Sequence, residues 1–100
     1  MTDFSYLNVD NAYKLINQKV TKTPLVTNDY INNLLEAEIY FKLENLQNTG
    51  SFKLRGATHK ITKLIETVKD SGVVAYSSGN HAQAVAYASL INPISAKIIM

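Results

Sequence analysis

Two short stretches hold the residues able to do chemistry. The first, "NTGSFKLRGA" at residues 48–57, sets Lys53 between Phe52 and Leu54, directly after a Thr-Gly-Ser turn. Ser51 is a natural helix N-cap, which places Lys53 in the first helical turn. Unpaired amide N–H groups and the helix dipole make that place locally positive, so the neutral amine is favoured over the ammonium, and burial would act the same way. A neutral lysine is a nucleophile able to form a Schiff base with an aldehyde. Phe52 would offer a flat surface to an aromatic partner. A solvated lysine that the helix merely tolerates is the plainer reading. The second stretch, "YSSGNHAQ" at residues 76–83, runs from an apolar strand into Ser77, Ser78, Gly79, Asn80 and His81. Hydroxyls, a glycine and free helix N–H groups converge there, where a carboxylate or phosphate is welcome. It has neither the spacing and lysine of a P-loop nor a GxGxxG pattern. An ordinary serine cap before an alanine-rich helix is the alternative.

The elements that must carry these stretches follow from periodicity. Val9, Ala12, Tyr13 and Ile16 recur at helical spacing. "TKTPL" brings a proline that biases Thr23 towards an extended conformation. "TNDYINNLLEA" allows another helical turn or two, and "EIYFKLENL" alternates as a strand with Ile39, Phe41 and Leu43 on one face. Residues 52–70 return to a helical stripe of Leu54, Ala57, Ile61, Leu64, Ile65 and Val68, closed by Gly72 in a C-terminal cap. "VVAYSS" reads as a buried strand, "GNHAQAVAYASL" as a helix stopped at Asn92-Pro93, and "AKIIM" as a last strand. Strand, helix, strand, helix, strand predicts an α/β layer with parallel pairing.

Composition narrows the function classes. The chain has 100 residues, 46% hydrophobic and 18% charged, which describes a globular protein. Net charge is +2 with both signs interspersed, so no nucleic-acid partner is expected. No apolar run reaches membrane-spanning length, and "MTDFSYLNVDNA" lacks the layout of a signal peptide. A cytoplasmic location is therefore expected. With no cysteine, disulfides and thiolate sites are excluded. His59 reads as a surface residue, and two histidines without a paired carboxylate predict no metal site. Tyr30, Tyr40 and Tyr76 read as packing residues, and the charges of "KLIETVKD" as a wet helix face. The strand "SAKIIM" stops abruptly, so an N-terminal piece of a longer protein is expected.

Taken together, "KLENLQNTGSFKLRGA" and "SSGNHAQAVAYAS", preceded by "TPL" at residues 23–25, resemble the fold-type II pyridoxal-phosphate enzymes. The similarity is to threonine and serine dehydratases, serine racemases and hydroxyaspartate dehydratases, and covers roughly residues 20–100. It implies the N-terminal part of a tryptophan synthase β-like α/β fold, three-layered with mostly parallel strands. Residues 1–50 would begin the large domain and residues 51–100 the small one, both incomplete. The cofactor implied is pyridoxal 5′-phosphate. By the same resemblance Lys53 corresponds to the lysine that holds it, Phe52 to the residue against its ring, and Asn80 to the donor to its 3′-oxygen. Ser77, Ser78, Gly79, Asn80 and His81 correspond to the loop for the substrate carboxylate. Ser78 resembles the serine of racemases that faces the lysine across the substrate, where many threonine dehydratases carry alanine.

The implied activity is a dehydratase, or ammonia-lyase, turning L-threonine or L-serine into a 2-oxo acid and ammonia. The alternatives are a serine racemase, or a non-catalytic fragment or subunit. The partner would be a small amino acid, and the intact protein a homo-oligomer. Residues 1–100 alone are expected to be poorly soluble and close to inactive, because the family's glycine-rich phosphate loop is not among them.

Overall fold

The computed structural model describes residues 5–100, so the start at residues 1–4, where a leader was sought in the sequence, lies outside the described residues. Helix α1 (Tyr6–Ile16) is opened by Ser5, whose hydroxyl accepts from the Asn8 N–H. Strand β1 (Leu25–Thr27), helix α2 (Asp29–Leu35) and strand β2 (Tyr40–Lys42) form a small unit, β1 and β2 pairing antiparallel. Asn28 caps α2, and Asn32 clamps the unit by accepting from the Ile39 N–H and donating to the Thr27 hydroxyl. A 3-10 turn (Glu44–Leu46) then leads to α3 (Lys53–Lys63) and the single turn α4 (Ile65–Val68). Strand β3 (Val73–Tyr76), helix α5 (Asn80–Ile91) and strand β4 (Ala96–Ile99) complete the order. β3 and β4 pair in parallel, with Ala75 opposite Ile98. Among the described residues no helix is long and apolar enough to cross a membrane.

The α/β class read from the sequence holds, with differences in detail. β2 does not join the parallel layer but pairs with β1, a three-residue strand that no alternation announces. The helical stripe over residues 52–70 breaks at Leu64, whose backbone leaves the helical region at φ −101°, ψ 12°.

The core is one cluster in which Leu54, Ala57 and Ile61 of α3 meet Ala84, Val85 and Ala88 of α5, with Ile16, Val20 and Ala75 closing it. Alanines let the two helices approach closely, and their contact is the most extensive between elements of the described residues. A second lock is polar. The Lys19 ammonium donates to Thr62 Oγ1 at 3.0 Å and to the buried Asn92 Oδ1 at 2.6 Å, joining the end of α1 to α3 and α5.

Much apolar surface stays uncovered. On β3, Ala75 faces inward while Val74 and Tyr76 stand exposed, and Tyr30 and Tyr40 are likewise exposed rather than packed. The radius of gyration is 16.3 Å, against roughly 13 Å for a compact domain of this length. Residues 1–100 expressed alone are therefore expected to associate, eluting well ahead of an 11.1 kDa monomer on size exclusion.

Gly72 supplies the cap read from the sequence. Its N–H reaches the Val68 carbonyl at 2.7 Å with φ at +74°, and a Cβ there would lie 2.5 Å from the Ser95 carbonyl oxygen. Gly50, at φ +72° in the turn before α3, faces open space. Gly72→Ala in the intact protein is expected to cost at least about 2 kcal/mol, whereas Gly50→Ala costs about 1 kcal/mol. Denaturant titration of the two variants checks the difference.

Candidate active site

Lys53 opens α3, with Phe52 in the cap position. Ser51 does not play the capping role expected of it. Phe52 is already helical at φ −65°, ψ −16°, the Arg55 N–H returns to the Phe52 carbonyl, and the Ser51 hydroxyl is buried without a hydrogen-bond partner. The position just before α3 is taken by Phe52, whose side chain cannot accept from the first amides, and the serine hydroxyl one residue further back meets none of them. The Lys53 side chain is exposed. Its Nζ lies 5.4 Å from the centre of the Phe52 ring.

Both residues line a groove of about 520 Å³ between α3, β3 and the start of α5, walled by Ala57, Ile61, Ala75 and Val85 and reached by Lys60 and His81. The structure thus brings Phe52, Lys53 and His81 together from two stretches of sequence. Ser77, Ser78, Gly79 and Asn80 lead directly into His81 but do not form the groove's walls. Ser77 is fixed by its N–H on the Ile99 carbonyl, and its hydroxyl accepts from the Gly79 N–H at 3.2 Å. Ser78, Gly79, Asn80 and His81 are exposed. Helix α5 begins at Asn80 with Gly79 as its cap residue and no side-chain cap, so the serine-cap alternative does not hold. Its first amides stay open to an acceptor. His59 is half-buried, not a plain surface residue, in a groove between α3 and α1.

What the sequence reading missed is the support behind α3. Arg55 Nε and Nη2 donate to the two oxygens of Glu44 at 3.0 and 2.7 Å, and the Thr23 hydroxyl donates to Glu44 Oε1 at 2.6 Å. The Gln47 amide doubles this link. It accepts from the Thr21 N–H and donates to the Thr21 carbonyl, while Lys42 donates to the Thr23 carbonyl. Glu44, Gln47 and Arg55 all lie inside the motif already noted, but nothing local pairs residues 11 to 34 positions apart.

The Arg55 fork holds the Glu44 carboxyl down to about 2 from an ordinary 4.5, helped by the Thr23 hydroxyl and the nearby Lys42, and against the opposing pull of burial. The same hydrogen bond pushes Arg55 upward. Because the folded value lies below the unfolded one, this stabilisation is complete above about pH 4.5 and is lost as pH falls towards 2. The urea midpoint of the intact protein is expected to fall across that window. Glu44→Gln should flatten the fall while lowering the midpoint at pH 7.

The fold and the groove define an α/β protein that offers a primary amine, an aromatic face and an uncapped helix start at one edge. Their residues suit a flat, aldehyde-bearing ring: an amine to condense, a ring to lie against and an apolar wall. The chain belongs to the pyridoxal-phosphate dependent enzyme family, whose family model matches residues 16–100. It is 44% identical over 100 residues to a serine racemase of Dictyostelium discoideum, covering all of this chain and 31% of that protein. It is 51% identical over 92 residues to a biosynthetic L-threonine dehydratase of Lactococcus lactis, covering 92% of this chain and 22% of that one. The solved structure of maize serine racemase matches with a TM-score of 0.86 at 36% identity, over 93% of this chain and 29% of that one. That of the T.th. threonine deaminase matches with a TM-score of 0.84 at 42% identity, over 96% and 33%. The fold is thus that of the fold-type II enzymes expected from the sequence, and the chain spans no more than about a third of these relatives' own length.

Proposed function

We propose that the intact protein is a pyridoxal-phosphate-dependent ammonia-lyase that converts L-threonine or L-serine to a 2-oxo acid and ammonia. The observation carrying this reading is the meeting of Lys53, Phe52 and His81 in one groove beside the uncapped start of α5. Lys53 would hold the cofactor through its amine, and its Nζ would take the substrate's α-proton on one face. Phe52 would offer its face to the cofactor ring, and the Asn80 amide would donate to the cofactor. Ser77, Ser78, Gly79, Asn80 and His81, with the open amides of α5, receive the substrate carboxylate. When bound, the cofactor supplies an electron sink for the pair left on the α-carbon when that proton is taken. Orienting the bond to be broken is the work of the side chains.

Racemisation of serine is the second reading. The exposed Ser78 hydroxyl has no hydrogen-bond partner among the described residues, leaving its Oγ free to handle a proton on the face opposite Lys53. Incubating the intact protein with L-serine separates the two. Keto acid and ammonia alone support the lyase, and D-serine supports the racemase.

The division into a large-domain start at residues 1–50 and a small-domain start at 51–100 goes with this reading, supported by the two separate sheets. So do a cytoplasmic location and a homo-oligomeric intact protein, checked by fractionation and light scattering. Residues 1–100 alone form a non-catalytic fragment in this reading. Added cofactor should give them no stable Schiff-base absorbance band.

A further inference from the structure

We propose that Glu44 and Arg55 are the positioning pair for Lys53, an inference that rests on Lys53 being the cofactor's attachment point. Lys53 is exposed, and its ammonium contacts the Phe52 ring beside it, so its place is inherited from the first turn of α3. That turn has no side-chain cap, and the Ser51 hydroxyl just before it is unpartnered. Its polar anchor is Arg55. At about 100° per residue, Arg55 projects roughly 200° around the helix from Lys53, on the opposite side. There its guanidinium is gripped at two points by Glu44 and touches the Thr21 carbonyl at 3.3 Å.

Glu44 is itself held by the buried Thr23, and the Leu43 N–H binds the Pro24 carbonyl, so the clamp stands on the strand before it. The pair is largely shielded, with side-chain exposures of 25% and 16%, and its two parallel hydrogen bonds fix an angle as well as a distance. A single lysine in place of Arg55 keeps the charge and loses that angle.

The test measures covalent attachment of pyridoxal 5′-phosphate to Lys53 in the intact protein, by borohydride trapping and peptide mass spectrometry, at a temperature where parent and variants are fully folded. Arg55→Lys and Glu44→Gln are each expected to slow attachment about tenfold to a hundredfold. They are also expected to shift the pH midpoint of the bound cofactor's absorbance. The double variant should be no slower than the slower single one, since both break the same clamp. Attachment in Arg55→Lys within about twofold of the parent, or effects that multiply in the double variant, overturns the positioning role. Loss of a cooperative melt in both single variants also overturns it, by showing a mere structural staple. If the parent itself is labelled away from Lys53, the functional reading fails instead, and the pair's role falls with it.

Discussion

Lys53→Ala is expected to leave the cofactor-free intact protein as stable as its cofactor-free parent while abolishing cofactor attachment and lowering turnover by at least about 10³-fold. The two halves of this result have separate causes. Lys53 is exposed, stands at the first position of α3 and, among the described residues, its side chain makes no hydrogen bond or ion pair and approaches the neighbouring Phe52 ring. Alanine is the better helix former, so the change in stability should stay within about 0.5 kcal/mol. The amine, by contrast, has no substitute in the groove. Lys60 also lines it, but lies two turns along α3 from the end that carries Phe52. Borohydride reduction of parent and variant, followed by peptide mapping, checks the loss of attachment, and thermal unfolding checks the unchanged stability. A label on Lys60 in the parent, or turnover by Lys53→Ala near the parent's rate, would remove the basis for the proposed chemistry.

Legibility in the sequence followed the range of each signal. Leu54, Ala57 and Ile61 recur at helical spacing, and all three are buried on the α5 side of α3. Gly72 closes its helix as its place after "DS" suggests, because a left-handed cap is a local requirement. β1 was not legible. Its three residues are all exposed, so no alternation marks them, and they are defined only by pairing with β2, about fifteen positions on. The same pairing draws β2 out of the parallel layer. Ser51 misled for a related reason: serine before a helix is a sound capping signal, but α3 starts at Lys53, one residue later than a Ser51 cap requires, and the hydroxyl is buried without a partner.

The site divides along the same line. Each stretch announced its own residues, since lysine beside phenylalanine and serine-glycine-asparagine before alanines are contiguous patterns. That Lys53 and His81 share a groove is a property of α3 packing on α5, which no window of sequence contains. The Glu44–Arg55–Thr23 cluster was least legible, though each member sat in or beside a noted motif. A salt bridge across eleven residues, through a turn, has no period to betray it.

Leu54 connects the packing to the chemistry, and its truncation is expected to give the largest loss of stability. It is fully buried, adjoins Lys53 and lies in the core cluster between α3 and α5. Leu54→Ala should destabilise the intact protein by about 3–4 kcal/mol, the sum of lost transfer energy and an unfilled cavity. Collapse into that cavity is opposed by its neighbours. Ala57, Ala84 and Ala88 have no side chain long enough to reach across, and a rigid α5 cannot close on α3 without disturbing the bond from Lys19 to Asn92 at its end. Leu54→Met, which conserves volume, should cost less than about 1.5 kcal/mol. Equilibrium denaturation distinguishes these values readily. A consequence follows for the amine. With its inner anchor gone, the first turn of α3 is held by the Arg55 fork alone, so Lys53 should accept the cofactor more slowly in Leu54→Ala even where that variant is fully folded. In Leu54→Met attachment should be nearly normal. Equal attachment rates in the two variants would mean that the core beneath Lys53 supports the fold without directing the lysine.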